Sequence, residues 1–319
     1  MQDTFINSAI FLIFRFKFFK DMRGLNILLL TPFLTVSILC YSQRHALVFQ
    51  SDFGVKDGAV SAMKGVAFSV SDDLRIFDLT HEIPVFNIWE AAYRLEQSAR
   101  YWPSGTVFVS IVDPGVGSER RSVVAKMRTG HYIITPDNGT LTLVSESLGI
   151  EEVREIDESK NRLKNSDQSY TFPGRDVYAY TGARLAAGVI TFEQVGSKLT
   201  GEIVKLSYQK PVFEKGVIKG NIPVLDIQFG NVWTNIDRNT FQKLDIKSGA
   251  DVSVKIYKGS VLMFDERVPF VNTFSEAPKG KALCYINSLL NFSIAINAGS
   301  FSELNKIQSG PEWSVVIRK

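Results

Sequence analysis

Histidine and cysteine are scarce: the 319 residues include three His and two Cys. His45, His81 and His131 are too few and too scattered for a zinc site, and Cys284 stands far from Cys40. Two cysteines also exclude a disulfide scaffold. His81, within Thr80-His81-Glu82, reads as a structural residue at a strand end. A glycine-rich phosphate loop ending in Lys-Ser or Lys-Thr is missing, as is a Gly-x-Ser-x-Gly nucleophile elbow. Neither sign of charge dominates: 36 basic against 33 acidic residues give a net +3, too weak a field to recruit nucleic acid. With 45% hydrophobic and 22% charged residues, the chain is not disordered, collagenous or coiled coil.

Long apolar runs are confined to the N-terminus. Residues 4–19 are apolar but interrupted by Arg15 and Lys17, and a second run over 25–40 follows Lys20 and Arg23. A basic flank, a short apolar core and the small-x-small exit Cys40-Tyr41-Ser42 make a secretory signal over residues 1–42, with Met22 as a plausible true start. The competing reading is an uncleaved membrane anchor, since the core is only slightly short for a span. The expectation is therefore an exported protein, periplasmic or extracellular, or a membrane-anchored one if cleavage fails. Cleavage after Ser42 leaves a nearly neutral chain whose only cysteine is Cys284.

Beyond the signal, residues 43–205 alternate strand and helix signals. Strands are expected at 46–50, 74–79, 106–112, 122–127 and 132–135, and helices at 58–70, 89–101 and 177–187. That alternation predicts an α/β N-terminal domain with a largely parallel sheet. Residues 206–319 change texture. Short apolar runs at 217–218, 222–229, 252–257, 261–264, 282–286, 292–296 and 313–317 are separated by Gly, Asn, Asp and Lys, with one helix at 239–244. They predict a small all-β domain, sandwich or barrel-like.

Five motifs carry chemistry. Ser51-Asp52-Phe53-Gly54, followed by Asp57, ends a strand and enters a helix. Ligands bind at the carboxyl ends of strands in open α/β sheets, and a carboxylate there can accept two bonds from a vicinal diol. The competing reading makes Asp57 a helix cap and Asp52 a turn residue. Asp113-Pro114-Gly115-Val116-Gly117 ends another strand, with Arg120 close enough in sequence to pair with Asp113 and keep it ionised. A plain turn is the alternative. Thr135-Pro136-Asp137-Asn138-Gly139 is an ordinary turn signal. Phe172-Pro173-Gly174-Arg175-Asp176 opens a helix, where Asp176 suits the dipole. Asp226, Phe229, Asn231, Trp233 and Asn235 gather an acid, two aromatics and two amides within ten residues, enough to grip a flat base and a cation or to form a hairpin.

In this order, with Met63-Lys64-Gly65 and Asp78-Leu79-Thr80-His81 between the first two, these motifs closely resemble the S-adenosylmethionine hydroxide adenosyltransferase family. Its members are adenosine-forming S-adenosylmethionine hydrolases, related to the fluorinase and chlorinase enzymes. The resemblance runs from about Ala46 to Gly299. It implies an α/β domain followed by a β domain. It also implies a homotrimer holding the ligand between the N-terminal domain of one subunit and the C-terminal domain of the next. S-adenosylmethionine is then the small-molecule substrate, with no other cofactor, no metal and no nucleic acid partner.

The resemblance also implies roles. Asp52 holds the ribose diol, with Asp57 in the same motif. Phe229 and Asn231 contact adenine, while Asp226 and Ser288 hold the methionine amine and carboxylate. Tyr285 and Ala298 line the site, Trp233 fills an aromatic position, and Phe86 stands where the halogenases carry Trp beneath the ligand. Asp113 and Arg120 match the first two members of an Asp-Arg-His triad that positions water. The third position is Pro173, which can neither donate nor accept a proton. The halogenases carry Tyr and Thr where this chain has Asp113 and Val116.

The implied reaction is displacement at the ribose 5′ carbon with methionine leaving from a sulfonium. That leaving group needs no general acid, so the work is to place one water in line and exclude others. Pro173 leaves two readings: a hydrolase that is weak or is aided by another group such as Tyr178, or a relative that binds a nucleoside without turning it over.

Overall fold

The computed structural model describes residues 46–319, so the signal or anchor expected over 1–42 lies outside the described residues. Among the described residues, no helix is long and apolar enough to cross a membrane.

The N-terminal half is built on six strands: β1 (Leu47–Ser51), β2 (Ile76–Thr80), β3 (Val107–Ile111), β4 (Ser122–Met127), β5 (Tyr132–Pro136) and β6 (Ile150–Glu155). Their spatial order is β2-β1-β3-β5-β4-β6. The first four in that order run parallel, and β4 pairs antiparallel with both β5 and β6. The sheet is thus mostly parallel, as expected. Strand β6 was not anticipated because Ile150-Glu-Glu-Val-Arg-Glu reads as polar; it is an edge strand, where charge is normal.

Alternation along the central strands divides the core. Leu47, Phe49, Val107, Val109 and Ile111 face one layer, and Val48 and Phe108 the other. Helices α1 (Ala59–Val70) and α2 (Ile88–Ala99) pack on opposite faces, α1 through Val60, Met63 and Ala67, α2 through Leu95 and Ala99. Because β1 lies between β2 and β3 while α1 and α2 sit on opposite faces, the winding reverses at β1. The carboxyl ends of β1 and β3 therefore splay apart into a crevice, the usual ligand position in such sheets. Short helices α3 (Thr142–Ser147) and α4 (Glu158–Asn161) follow β5 and β6.

The helix expected over 177–187 begins three residues earlier. Gly174–Ala179 forms a widened π-type turn that runs into α5 (Tyr180–Ala186). Pro173 sits just before it, where the missing N–H costs no helical bond. Gly174 is tightly placed: a Cβ there would lie 3.1 Å from the Phe53 ring, so this glycine lets the helix start approach the end of β1.

The C-terminal half contains two antiparallel sheets. One combines β7 (Val212–Glu214), β8 (Val217–Ile222), β11 (Asp251–Lys258), β12 (Val261–Pro269) and β15 (Gly310–Arg318). The other combines β9 (Val224–Asp226), β10 (Asn231–Asp237), β13 (Ala282–Ile286) and β14 (Asn291–Ile296). Both sheets feed one core, including Ile218, Val254, Trp313 and Ile317 from the first and Val232, Ile236, Cys284 and Ile294 from the second. The single strand expected over 222–229 divides instead. β9 ends at Asp226, residues 227–230 turn, and β10 pairs back with Asn231 opposite Asp226. Two short helices, α6 (Arg238–Gln242) and α7 (Phe301–Asn305), complete this half; α7 was not anticipated.

Candidate active site

The crevice at the switch point is a cavity of about 240 Å³ lined by Asp52, Phe86, Asp113, Phe172 and Pro173, among others. Asp52, just past β1, accepts a bond from the Phe86 backbone N–H through Oδ2 at 2.9 Å. Phe86 needs that restraint, because its φ of 66° lies in the left-handed region, which is strained for an aromatic residue. Phe86 is 66% exposed and lines the crevice like a platform. Asp52 therefore fixes the platform with one oxygen and keeps acceptor capacity on the other.

Asp113 follows β3, and its side chain is only 4% exposed. Arg120 Nε donates to both carboxylate oxygens at 3.0 and 2.8 Å, and Nη2 lies 2.7 Å from Oδ2. Burial lowers the guanidinium's hold on its proton, but the bond to Asp113 and the Asp113 charge work against it, and the net shift is upward. Arg120 therefore stays a cation against the Asp113 carboxylate. Asp113 lines the crevice, whereas Arg120 lines a second cavity of about 990 Å³ behind it. A molecule entering from the front meets the carboxylate.

Asp57, the Asp137-Asn138 turn and His81 brace the scaffold around the crevice. Asp57 is exposed and accepts from Ala59 N at 2.9 Å; it does not line the crevice, because it serves the start of α1. Asp137 pairs with Arg121 and accepts from Val204 N, and Asn138 Nδ2 donates to Val112 O at 2.8 Å, bracing the strand end that carries Asp113. His81 is buried between Ser51 Oγ at 2.7 Å and Asp78 Oδ1 at 3.1 Å.

A different cavity, about 670 Å³, lies in the C-terminal half. Asp226, Phe229, Asn231, Trp233, Tyr285, Ser288 and Ala298 all line it. The β9–β10 hairpin explains the grouping: Asn231 faces Asp226 across the pair, and its Nδ2 donates to Asp226 Oδ2 at 2.9 Å. That bond orients the carboxylate and leaves its other oxygen open to a cation. Tyr285 is pushed up to about 12, mainly by burial and further by the Asp226 charge, so it stays a neutral phenol. Phe229 is 66% exposed at the rim. Phe274, which sequence reasoning missed, packs edge-on to Tyr285 at 5.0 Å; a lone Phe in a polar loop carries no local signal of that contact.

Gly230 shapes this pocket. Its φ is 66°, and a Cβ would lie 2.7 Å from Ser300 Cβ, displacing the residue whose Oγ caps α7 by accepting from Glu303 N. Gly230→Ala is expected to cost about 2–4 kcal/mol from combined backbone strain and overpacking. A urea titration measures it, and a loss below roughly 0.5 kcal/mol would mean that the hairpin yields freely.

Residues 47–196 match the SAM hydroxide adenosyltransferase N-terminal domain, and residues 220–314 match the C-terminal domain of the same family. An (R)-S-adenosyl-L-methionine hydrolase from Methanocaldococcus jannaschii is 37% identical over 248 residues, covering 76% of this chain and 84% of that protein. The chain belongs to the SAM hydroxide adenosyltransferase family. A fluorinase from an Actinoplanes species is also similar, 32% identical over 83% of this chain and 95% of its own. Among solved structures, an uncharacterized conserved protein from Thermotoga maritima matches with a TM-score of 0.79 at 31% identity, covering 86% of this chain and 100% of its own. Since relatives of both names are similar, the reaction of this member depends on what its own crevice offers a nucleophile.

Proposed function

We propose that this protein hydrolyses S-adenosyl-L-methionine to adenosine and L-methionine by attack of water or hydroxide on the ribose 5′ carbon. The observation that carries the reading is the side of the Asp113–Arg120 pair that meets the crevice. A carboxylate there can accept a proton from water and hold it in line. A halide in the same place faces the Asp113 carboxylate, whereas Arg120 lines the other cavity. The sulfonium departs as neutral methionine thioether, so the chemistry calls for no general acid and no cofactor.

Asp52 takes the ribose diol and Phe86 underlies it. Asp226 takes the methionine ammonium, Ser288 its carboxylate, and Phe229 and Asn231 the adenine. The two cavities share no lining residue, and Phe86 and Phe229 both stand exposed at their rims. The reading therefore has one copy's crevice close against the next copy's hairpin pocket in a head-to-tail homotrimer. Export through the N-terminal signal belongs to the same proposal.

The purified protein is incubated with S-adenosylmethionine, with and without chloride, and products are followed by chromatography. Adenosine and methionine, indifferent to chloride, support the reading; a chlorinated nucleoside overturns it. Pro173 lines the crevice without a polar side-chain atom. Pro173→His is expected to raise kcat about tenfold or more by supplying a second proton-handling group. An unchanged kcat would mean that this position does not reach the attacking water.

A further inference from the structure

Arg120 cannot hold Asp113 unless something holds Arg120. Its Nε and Nη2 are committed to Asp113, and Nη1 donates to Ser122 Oγ at 3.2 Å. The rear cavity gives the guanidinium somewhere else to go, and Glu158 in its wall offers a competing carboxylate. Ser122 stands at that junction. Its Oγ lies 3.1 Å from Tyr178 OH and 3.3 Å from Glu158 Oε1.

Only one arrangement makes all three contacts at once. A hydroxyl has one proton and two lone pairs. Arg120 can only donate. Burial keeps Tyr178 protonated despite the Arg120 charge, so its hydroxyl is free to donate as well, and its ring lies under the guanidinium at 5.7 Å. Ser122 then accepts both bonds and gives its own proton to Glu158. The other Glu158 oxygen accepts from Arg162 at 2.5 Å. Glu158 is thus occupied from two sides and anchors Ser122 rather than capturing Arg120. Tyr178 does not line the crevice, so it steadies Arg120 and is not the substitute base considered from sequence.

We infer that Ser122, anchored by Glu158, is a positioning residue for the hydrolysis, holding Arg120 forward against Asp113 where Pro173 supplies no restraint. This rests on the hydrolase reading above. The role belongs to the hydroxyl and not to the strand, because the Ser122 backbone is independently bonded through Ile156 N to Ser122 O at 2.8 Å.

The test compares the parent protein with Ser122→Ala and Ser122→Thr. Ser122→Ala is expected to lower kcat roughly tenfold with KM within about twofold, since orientation is lost and ligand contacts are kept. Ser122→Thr, which keeps the hydroxyl, is expected to stay within about threefold of the parent. In protein labelled with 15N-arginine, the Arg120 Nε proton should exchange slowly in the parent and markedly faster in Ser122→Ala. An unchanged Arg120 signal overturns the inference, as does full kcat in Ser122→Ala. Should Ser122→Thr fold poorly, the Ser122→Ala pair of readouts still decides. A parent without turnover removes the hydrolase reading, and the arginine signal then still reports whether Ser122 holds Arg120.

Discussion

Asp113→Asn is expected to lower kcat for adenosine formation by about 10²–10⁴, the usual loss when a general base is removed. The substitution nearly preserves size and leaves an amide oxygen for Arg120, so the crevice should keep its shape. What disappears is the charge proposed to accept the proton of the attacking water. Among the described residues, Asp113 is the only acid besides Asp52 lining the crevice, and Asp52 already uses one oxygen to fix Phe86. With proline at the third triad position, no side chain there can take over. Adenosine affinity should hold within about threefold, because Asp113 is assigned to the nucleophile and not to the nucleoside. Stopped assays with calorimetry on the same sample measure both. A kcat within a few fold of the parent would move the base elsewhere and leave Asp113 as a structural partner of Arg120.

The parts of this site legible in the sequence are those where local chemistry and topology agree. Asp52 and Asp113 each follow an apolar run at a strand end, and an open α/β sheet puts such ends beside its crevice. Asp226 and Asn231 sit five apart across a turn, close enough for the hairpin to bring them together. Asp57 shares the motif but serves the start of α1, which has its own need for a carboxylate. What stayed illegible depends on distance along the chain. Ser122 meets Tyr178 and Glu158 only because α4 and the π-type turn fold behind β4, and no spacing announces it. The left-handed Phe86 was hidden for another reason: its conformation is set by a bond from its own backbone to Asp52, 34 residues earlier.

Mixing two impaired variants is expected to restore about a quarter of the parental activity at subsaturating substrate. Asp113→Asn spoils the crevice half. Asp226→Ala spoils the hairpin half by removing the proposed partner of the methionine ammonium, which should raise KM roughly 10–100-fold. Alone, each variant carries the same lesion at every site. In a closed head-to-tail ring, each site takes its crevice from one copy and its hairpin pocket from the next. After co-expression in equal amounts, a site works when its crevice comes from an Asp226→Ala copy and its hairpin from an Asp113→Asn copy. That is one of four equally frequent pairings, or about a quarter, for a ring of any size. Assays at subsaturating S-adenosylmethionine make both defects visible. If one chain supplied both halves of its own site, every site in the mixture would carry a lesion and nothing would return. The geometry favours recovery, because the halves are separate cavities whose aromatic rims, Phe86 and Phe229, are both exposed.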